Sequence, residues 1–246
     1  MAAPRFFSPQ HLPRPLVNGT NVEVGEDIAR HLQVLRMNAG DHIALFDGQG
    51  GEFPAEIIEL GKRRATVSLL SFDDIEREST LSITLVQALA TSDKMDLIVQ
   101  KAVELGVAMV QPVASERATL KLSGDRAEKR ATHWQSIARS ACEQCGRNRV
   151  PVVAEPMALE EWLALPKDGV RLMLHPDASK SLIEAVGEQT RVSLLIGPEG
   201  GFSERELALA MKHGVDAVRF GPRVLRTETA GLAAVAALNA IAGDLR

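Results

Sequence analysis

The sequence predicts an α/β protein in two parts, a small β-barrel over residues 1–72 and a larger domain with a largely parallel sheet over residues 73–246. Three observations predict it. Short strand-like runs separated by tight turns fill the chain as far as Phe72. A polar linker-like stretch, Asp73-Asp74-Ile75-Glu76-Arg77-Glu78-Ser79-Thr80, then interrupts. From Leu81 onward strands and helices alternate, the rhythm of a parallel sheet with crossover helices.

In the first part a helix is expected from Glu26 to Arg36, with Ile28, His31, Leu32 and Leu35 on one side. His42–Phe46 reads as a strand closed by the turn cluster Asp47-Gly48-Gln49-Gly50-Gly51. Glu52–Leu60 and Ala65–Phe72 follow, joined by a tight turn at Gly61-Lys62-Arg63. In the second part the strand candidates are Leu81–Leu89, Val107–Val113, Val150–Val153, Val170–Leu174, Val192–Ile196 and Ala217–Phe220. Met95, Ile98, Val99, Ala102 and Leu105 fall at helical spacing and stop at Gly106. Asp125–Cys145 is a long helix whose apolar face carries Ala127, Ala131, Trp134, Ile137, Ala138, Ala141 and Cys145. An alanine-rich helix is expected over Gly231–Ala242.

Composition narrows the class. The 45% hydrophobic and 24% charged residues suit a globular protein, and no apolar run is long enough to span a bilayer. The start, Met1-Ala2-Ala3-Pro4-Arg5-Phe6-Phe7, lacks the apolar core of a secretory signal, so a cytoplasmic protein is expected. Cys142 and Cys145 form one C-x-x-C without a second pair; no metal site is expected, and packing explains Cys145. His133 and His213 have no visible partners and read as surface residues. Net charge is −4, yet between Glu116 and Arg149 eight Lys/Arg face four acids, a local excess of +4. Such an excess suits a phosphate-contacting face, and equally a solvated helix face.

Two segments carry the chemistry. Val192–Ile196 runs into Gly197-Pro198-Glu199-Gly200-Gly201-Phe202-Ser203. Ser203 and Glu206 form a capping box that starts the next helix. The glycines let a ligand approach the backbone, although a plain strand-to-helix turn would also use them. Neither a phosphate-loop lysine nor a dinucleotide G-x-G-x-x-G is present. The second segment, Phe220-Gly221-Pro222-Arg223-Val224-Leu225-Arg226-Thr227-Glu228-Thr229-Ala230, is long for a plain connection. An N-cap at Thr227 or Thr229 would explain the threonines but not the arginines. Strand ends gather at one side of such sheets, so both loops and Leu174-His175-Pro176 are expected to line one crevice.

These two loops resemble the signature loops of the SPOUT methyltransferases, and more closely those of the RsmE family, which methylates a uridine N3 atom in small-subunit ribosomal RNA. The resemblance extends through Asp93-Lys94-Met95-Asp96, Gln100–Gly106, Glu143-Gln144 and Gly146-Arg147. In the first part it includes His31-Leu32, Val34-Leu35-Arg36 and Gly40-Asp41. Thr91-Ser92, Ala118 and Phe220 depart from the usual family residues. The resemblance implies a PUA-like N-terminal barrel, a SPOUT-type parallel sheet with a C-terminal trefoil knot, and a homodimer. It implies S-adenosyl-L-methionine as methyl donor, held by Leu174, His175 and Ile196, by the turn of Gly197, Pro198, Glu199, Gly200 and Gly201, and by the second loop. From that loop come Phe220, Gly221, Leu225, Arg226, Thr227, Thr229 and Ala230.

Its implied substrate is 16S ribosomal RNA in the small ribosomal subunit. Uridine N3 must lose a proton, and a nearby cation would stabilise charge on the uracil oxygens. Arg226 is the first candidate, a phosphate contact being its other use; Glu228 and Glu199 are candidate bases, with His175 behind them. N3 lies on the Watson–Crick edge, so the target is expected unpaired or extruded. The chain has no Tyr, and Phe6, Phe7 and Phe46 are candidate stacking aromatics in the barrel, core packing being the better reading for Phe46. RNA contacts are therefore expected from Arg5, Arg36, Arg117, Lys121 and Arg147. The rival readings are a non-catalytic RNA-binding scaffold and a SPOUT enzyme acting on another RNA, such as transfer RNA.

Overall fold

A computed structural model describes residues 3–120 and 124–245. The chain divides into two compact units: one runs to Glu78 and takes in Cys142–Val150, the other holds Ser79–Ala141 and the chain from Pro151 onward.

The first unit contains β1 (Arg5–Phe7), β2 (Thr20–Val24), α1 (Glu26–Val34), β3 (His42–Phe46), β4 (Phe53–Leu60) and β5 (Ala65–Leu69). The strands form one mixed sheet in the order β1-β3-β4-β5-β2; β1 runs parallel to β3 and the other pairs are antiparallel. Alternation sets the inner face. Phe53, Ala55 and Ile57 of β4 are buried with Ala65, Val67 and Leu69 of β5, and Ile28 and Leu32 of α1 pack among them. A register shift between Ile57 and Glu59 breaks the alternation and leaves Ile58 exposed. Phe6 is as buried as Phe46, so both are core side chains rather than stacking platforms.

The boundary of this unit lies beyond the expected residue 72 for a physical reason. Glu52 and Asp73 exchange backbone hydrogen bonds, and Glu76 and Glu78 form ion pairs with Arg149 and Arg147. Asn148 donates to the Ile75 carbonyl at 2.6 Å and accepts from Arg5 at 2.7 Å. The stretch read as a linker is thus stitched to Cys142–Val150.

The second unit contains β6 (Ser82–Ala88), α2 (Ser92–Glu104), β7 (Met109–Ala114), β8 (Val152–Val153), β9 (Met157–Ala158), α4 (Leu159–Ala164) and β10 (Val170–Leu174). It continues with α5 (Leu182–Val186), β11 (Arg191–Ile196), α6 (Glu204–Lys212), β12 (Asp216–Val218) and α7 (Thr227–Ala242). The helix α3 (Asp125–Cys145) contributes all but its last turn. The sheet order is β12-β10-β11-β6-β7-β8, with β9 also on β7, and every pairing is parallel. Its central strands are covered on both faces, so β6 and β11 read as near-continuous apolar runs.

Two polar residues anchor α7. Asn239 is fully buried, donates to the Leu105 carbonyl at 2.6 Å and accepts from the Ser79 hydroxyl at 2.8 Å. A Cβ at Gly231 would lie 3.4 Å from Ile196 and 3.5 Å from Leu85, so glycine lets the helix approach the sheet closely. His133, read as partnerless, lies 3.0 Å from the Asp96 carboxylate, whose other oxygen accepts from Trp134 at 3.0 Å. Among the described residues no helix is long and apolar enough to cross a membrane.

Candidate functional site

The site is built where β10, β11 and β12 end. β11 delivers an apolar run into the Gly197–Gly201 turn, in which the Gly201 amide donates to the Pro198 carbonyl at 2.9 Å. Gly201 has φ of 66°, a left-handed conformation that disfavours any side chain. The capping box is present: the Ser203 hydroxyl accepts from the Glu206 amide at 3.2 Å, and the Ser203 amide donates to the Glu206 carboxylate at 2.8 Å. Glu206 is buried, and its second oxygen accepts from the Glu116 amide at 2.8 Å. Arg117 donates to the Gly200 carbonyl at 3.1 Å. The segment after β7 therefore braces the turn.

The second loop departs from the expected boundaries. α7 begins at Thr227, not Gly231, and Arg226 is its N-cap residue without a side-chain cap. Neither threonine caps the helix. Instead, the buried Thr227 hydroxyl donates to the Gly197 carbonyl at 2.6 Å and accepts from the Gln87 amide at 3.0 Å. This chain of hydrogen bonds ties the first turn of α7 to the β11 turn and to β6.

Together these segments enclose a cavity of about 560 Å³. Leu174 and His175 line it from β10, and Ile196, Gly197, Pro198, Glu199, Gly200 and Gly201 from β11 and its turn. Phe220, Gly221, Leu225, Arg226, Thr227 and Ala230 supply the opposite wall. Thr229 is exposed on α7 and does not line the cavity. Nor does Glu228, expected as a catalytic carboxylate: its side chain lies 3.4 Å from the Lys94 ammonium. Lys94 also stands 3.1 Å from Glu199, so both candidate bases share one cation. Hydrogen bonding to Glu199 pushes the Lys94 ammonium above its ordinary value. Burial opposes ionisation of Glu199, but its own backbone amide and Lys94 outweigh that and hold the carboxyl below its usual range.

Sequence reasoning missed Lys94, Phe202 and Leu207 as cavity residues, and Arg117 as a wall residue. Pro176, Arg223 and Val224, which also line the cavity, lay inside the loops already singled out. Lys94 lay in the Asp93-Lys94-Met95-Asp96 stretch that carries the resemblance, but its partners are remote in sequence, so nothing local placed it at the cavity.

The residues expected on RNA separate clearly. Arg36 is exposed at the C-terminal end of α1, with φ of 58°. Arg117 is exposed at the cavity wall. Lys121 lies outside the described residues. Arg5 and Arg147 are corrections: Arg5 pairs with Glu52 and lies over the Phe46 ring at 4.9 Å, and Arg147 is buried against Glu78. Both guanidiniums are committed to acids and carbonyls inside the first unit, so they hold the fold together instead of facing a phosphate.

Comparison with known proteins bears on this geometry. A family model described as an RNA methyltransferase domain matches residues 77–239, and one described as an RNA methyltransferase PUA domain matches residues 24–70. The chain is 35% identical over 214 residues to Ribosomal RNA small subunit methyltransferase E of Buchnera aphidicola from Schizaphis graminum, covering 87% of each protein. The chain belongs to this family of RNA methyltransferases. Among solved structures, a Ribosomal RNA small subunit methyltransferase E from Neisseria gonorrhoeae bound to S-adenosyl methionine is 41% identical, with a TM-score of 0.93 over the whole of both chains. A putative methyltransferase from Legionella pneumophila in complex with the same cofactor is 37% identical, with a TM-score of 0.94, again over both whole chains. Membership of this methyltransferase family is consistent with a crevice walled by turns at strand ends and lacking the motifs of a phosphate or dinucleotide loop.

Proposed function

We propose that this chain methylates the N3 atom of a uridine in 16S ribosomal RNA of the small ribosomal subunit, with S-adenosyl-L-methionine held in the crevice between Gly197–Gly201 and the start of α7. The observation that carries the reading is the crevice itself, in a chain that belongs to this family. Its volume of about 560 Å³ falls within the range of small-molecule sites. Leu174, Ile196, Phe220 and Leu225 provide apolar surface for a flat heterocycle, and the glycine turn and loop backbone provide polar groups. The residues present fit the donor. Bound there, it supplies an electrophilic methyl group on a positively charged sulfur, so a nitrogen–carbon bond forms as a sulfur–carbon bond breaks.

The chain's own residues have two tasks. The first is positioning, because an in-line displacement gains most from a fixed approach. The Gln87–Thr227–Gly197 hydrogen bonds and the brace from Arg117 and Glu206 serve it. The second is charge: as N3 gives up its proton to solvent, the Arg226 guanidinium on the cavity wall stabilises the uracil oxygens. Glu228 and Glu199 balance Lys94, and we assign them to that role rather than to proton removal.

RNA contacts fall on exposed cations, namely Arg36 and the β4–β5 turn residues Lys62 and Arg63 in the first unit, and Arg117 in the second. We further read the first unit as a PUA-like barrel, the second as carrying a trefoil knot through its C-terminal part, and the protein as a cytoplasmic homodimer. The family resemblance supports each of these readings.

The test is direct. Small ribosomal subunits lacking the modification are incubated with the protein and labelled donor, and the modified nucleotide is mapped by mass spectrometry. N3-methyluridine is expected, and another product refutes the assignment. A chain that fails to bind the donor by calorimetry is instead the non-catalytic scaffold.

A further inference from the structure

We propose that Lys94 is a positioning residue for the donor site, locking the Gly197–Gly201 turn to the first turn of α7 by bridging Glu199 and Glu228. The inference rests on the proposed function and assigns a role to a residue of that site. Lys94 sits in the first turn of α2, where the helix dipole disfavours a cation. A second cation is nearby, since Arg130 donates to the Ser92 hydroxyl at 2.7 Å at the same helix end. Helix formation alone therefore gives no reason for a lysine there; its partners do. The ammonium lies 3.1 Å from Glu199 and 3.4 Å from Glu228, which come from segments far apart in the chain.

The three side chains are 24%, 27% and 17% exposed, enough burial for the geometry to be held. Glu199 takes a further contact from the Thr119 hydroxyl at 3.5 Å. The Glu228 oxygen facing Lys94 is buried and accepts no hydrogen bond, so the ammonium is its charge partner. Removing Lys94 leaves that carboxylate uncompensated and frees Glu199 from α7. The two loops that line the donor cavity then lose their fixed spacing. Glu199 lies between Gly197 and Gly200, so its displacement moves the wall itself.

The experiment compares wild type, Lys94→Arg, Lys94→Met, Glu199→Gln and the Lys94→Met/Glu199→Gln double variant in the full chain. Donor affinity is measured by calorimetry with S-adenosylmethionine, and amide hydrogen exchange of residues 197–201 is followed in the free protein. Lys94→Met should bind the donor about tenfold more weakly and Lys94→Arg within about threefold of wild type, the range of a coupled contact. The double variant should lose no more than Lys94→Met alone, and exchange at residues 200 and 201 should quicken in Lys94→Met. Affinity for the RNA, measured separately, should hold, which a general loss of structure would not allow. Lys94→Met binding and exchanging like wild type overturns the inference, as does Lys94→Arg failing as badly as Lys94→Met. Wild type failing to bind the donor at all overturns the functional reading, and this inference with it.

Discussion

Replacing Thr227 by Val tests whether the join between the two loops sets both stability and donor binding. Valine keeps the shape of the side chain and removes only the hydroxyl. Two hydrogen bonds go: the one donated to the Gly197 carbonyl at 2.6 Å and the one accepted from Gln87 at 3.0 Å. The Gln87 amide keeps its bond to the Ala88 carbonyl at 2.9 Å, so its loss is partial. Thr227 is only 6% exposed, and water has little access to replace what is lost. One net bond plus a part-buried carbonyl left without its donor comes to about 2–3 kcal/mol. For a chain of this size that lowers the melting midpoint by roughly 5–10 °C. Thr227→Ser keeps the hydroxyl and should lie much nearer wild type. Calorimetric melts give the first number and donor titration the second, which should weaken because Gly197 lines the cavity. A Thr227→Val protein that melts with wild type and binds the donor equally well would refute the reasoning.

Further expectations come from other parts of the structure. Asp47 is buried in the first unit, but Arg14 at 2.6 and 2.9 Å and the Leu12 and Gln49 amides outweigh burial and hold its carboxyl below the ordinary 3.8. Its stabilisation is therefore complete above that pH and lost as pH falls through the lower folded value; the urea-midpoint gap between wild type and Asp47→Asn should close in acid. Burial pushes the Cys142 thiol up to about 12, so iodoacetamide at pH 8 should leave it unmodified in the native protein, as mass spectrometry would show. Gly201→Ala adds a Cβ that meets no atom within 4 Å, but at φ of 66° the backbone strain costs about 1 kcal/mol; donor affinity should fall modestly. Lys62→Ala with Arg63→Ala should weaken RNA binding and reduce the slope of log affinity against log salt by about 2, with donor affinity unchanged.

Which of these features were legible in the sequence depends on how local their causes are. β3, α3 and β10 end where hydrophobic periodicity places them, because an unbroken apolar pattern carries its own boundaries. Ser203 and Glu206 were legible for the same reason, their partnership closing within one helical turn. The start of α7 was not, since Gly231 looks like a boundary and serves instead as a point of close approach to Ile196 and Leu85. Nor could charge alone say what Arg5 and Arg147 meet. A cation facing a phosphate and a cation facing a carboxylate read identically until the fold brings Glu52 to Arg5 and Glu78 to Arg147. Lys94 is the strongest case. Its place at the start of α2 runs against the helix dipole, which is a local sign of something non-local, but only the parallel sheet brings Glu199 and Glu228 to it. A residue that violates a local preference without a local compensation therefore marks where tertiary structure supplies the missing partner.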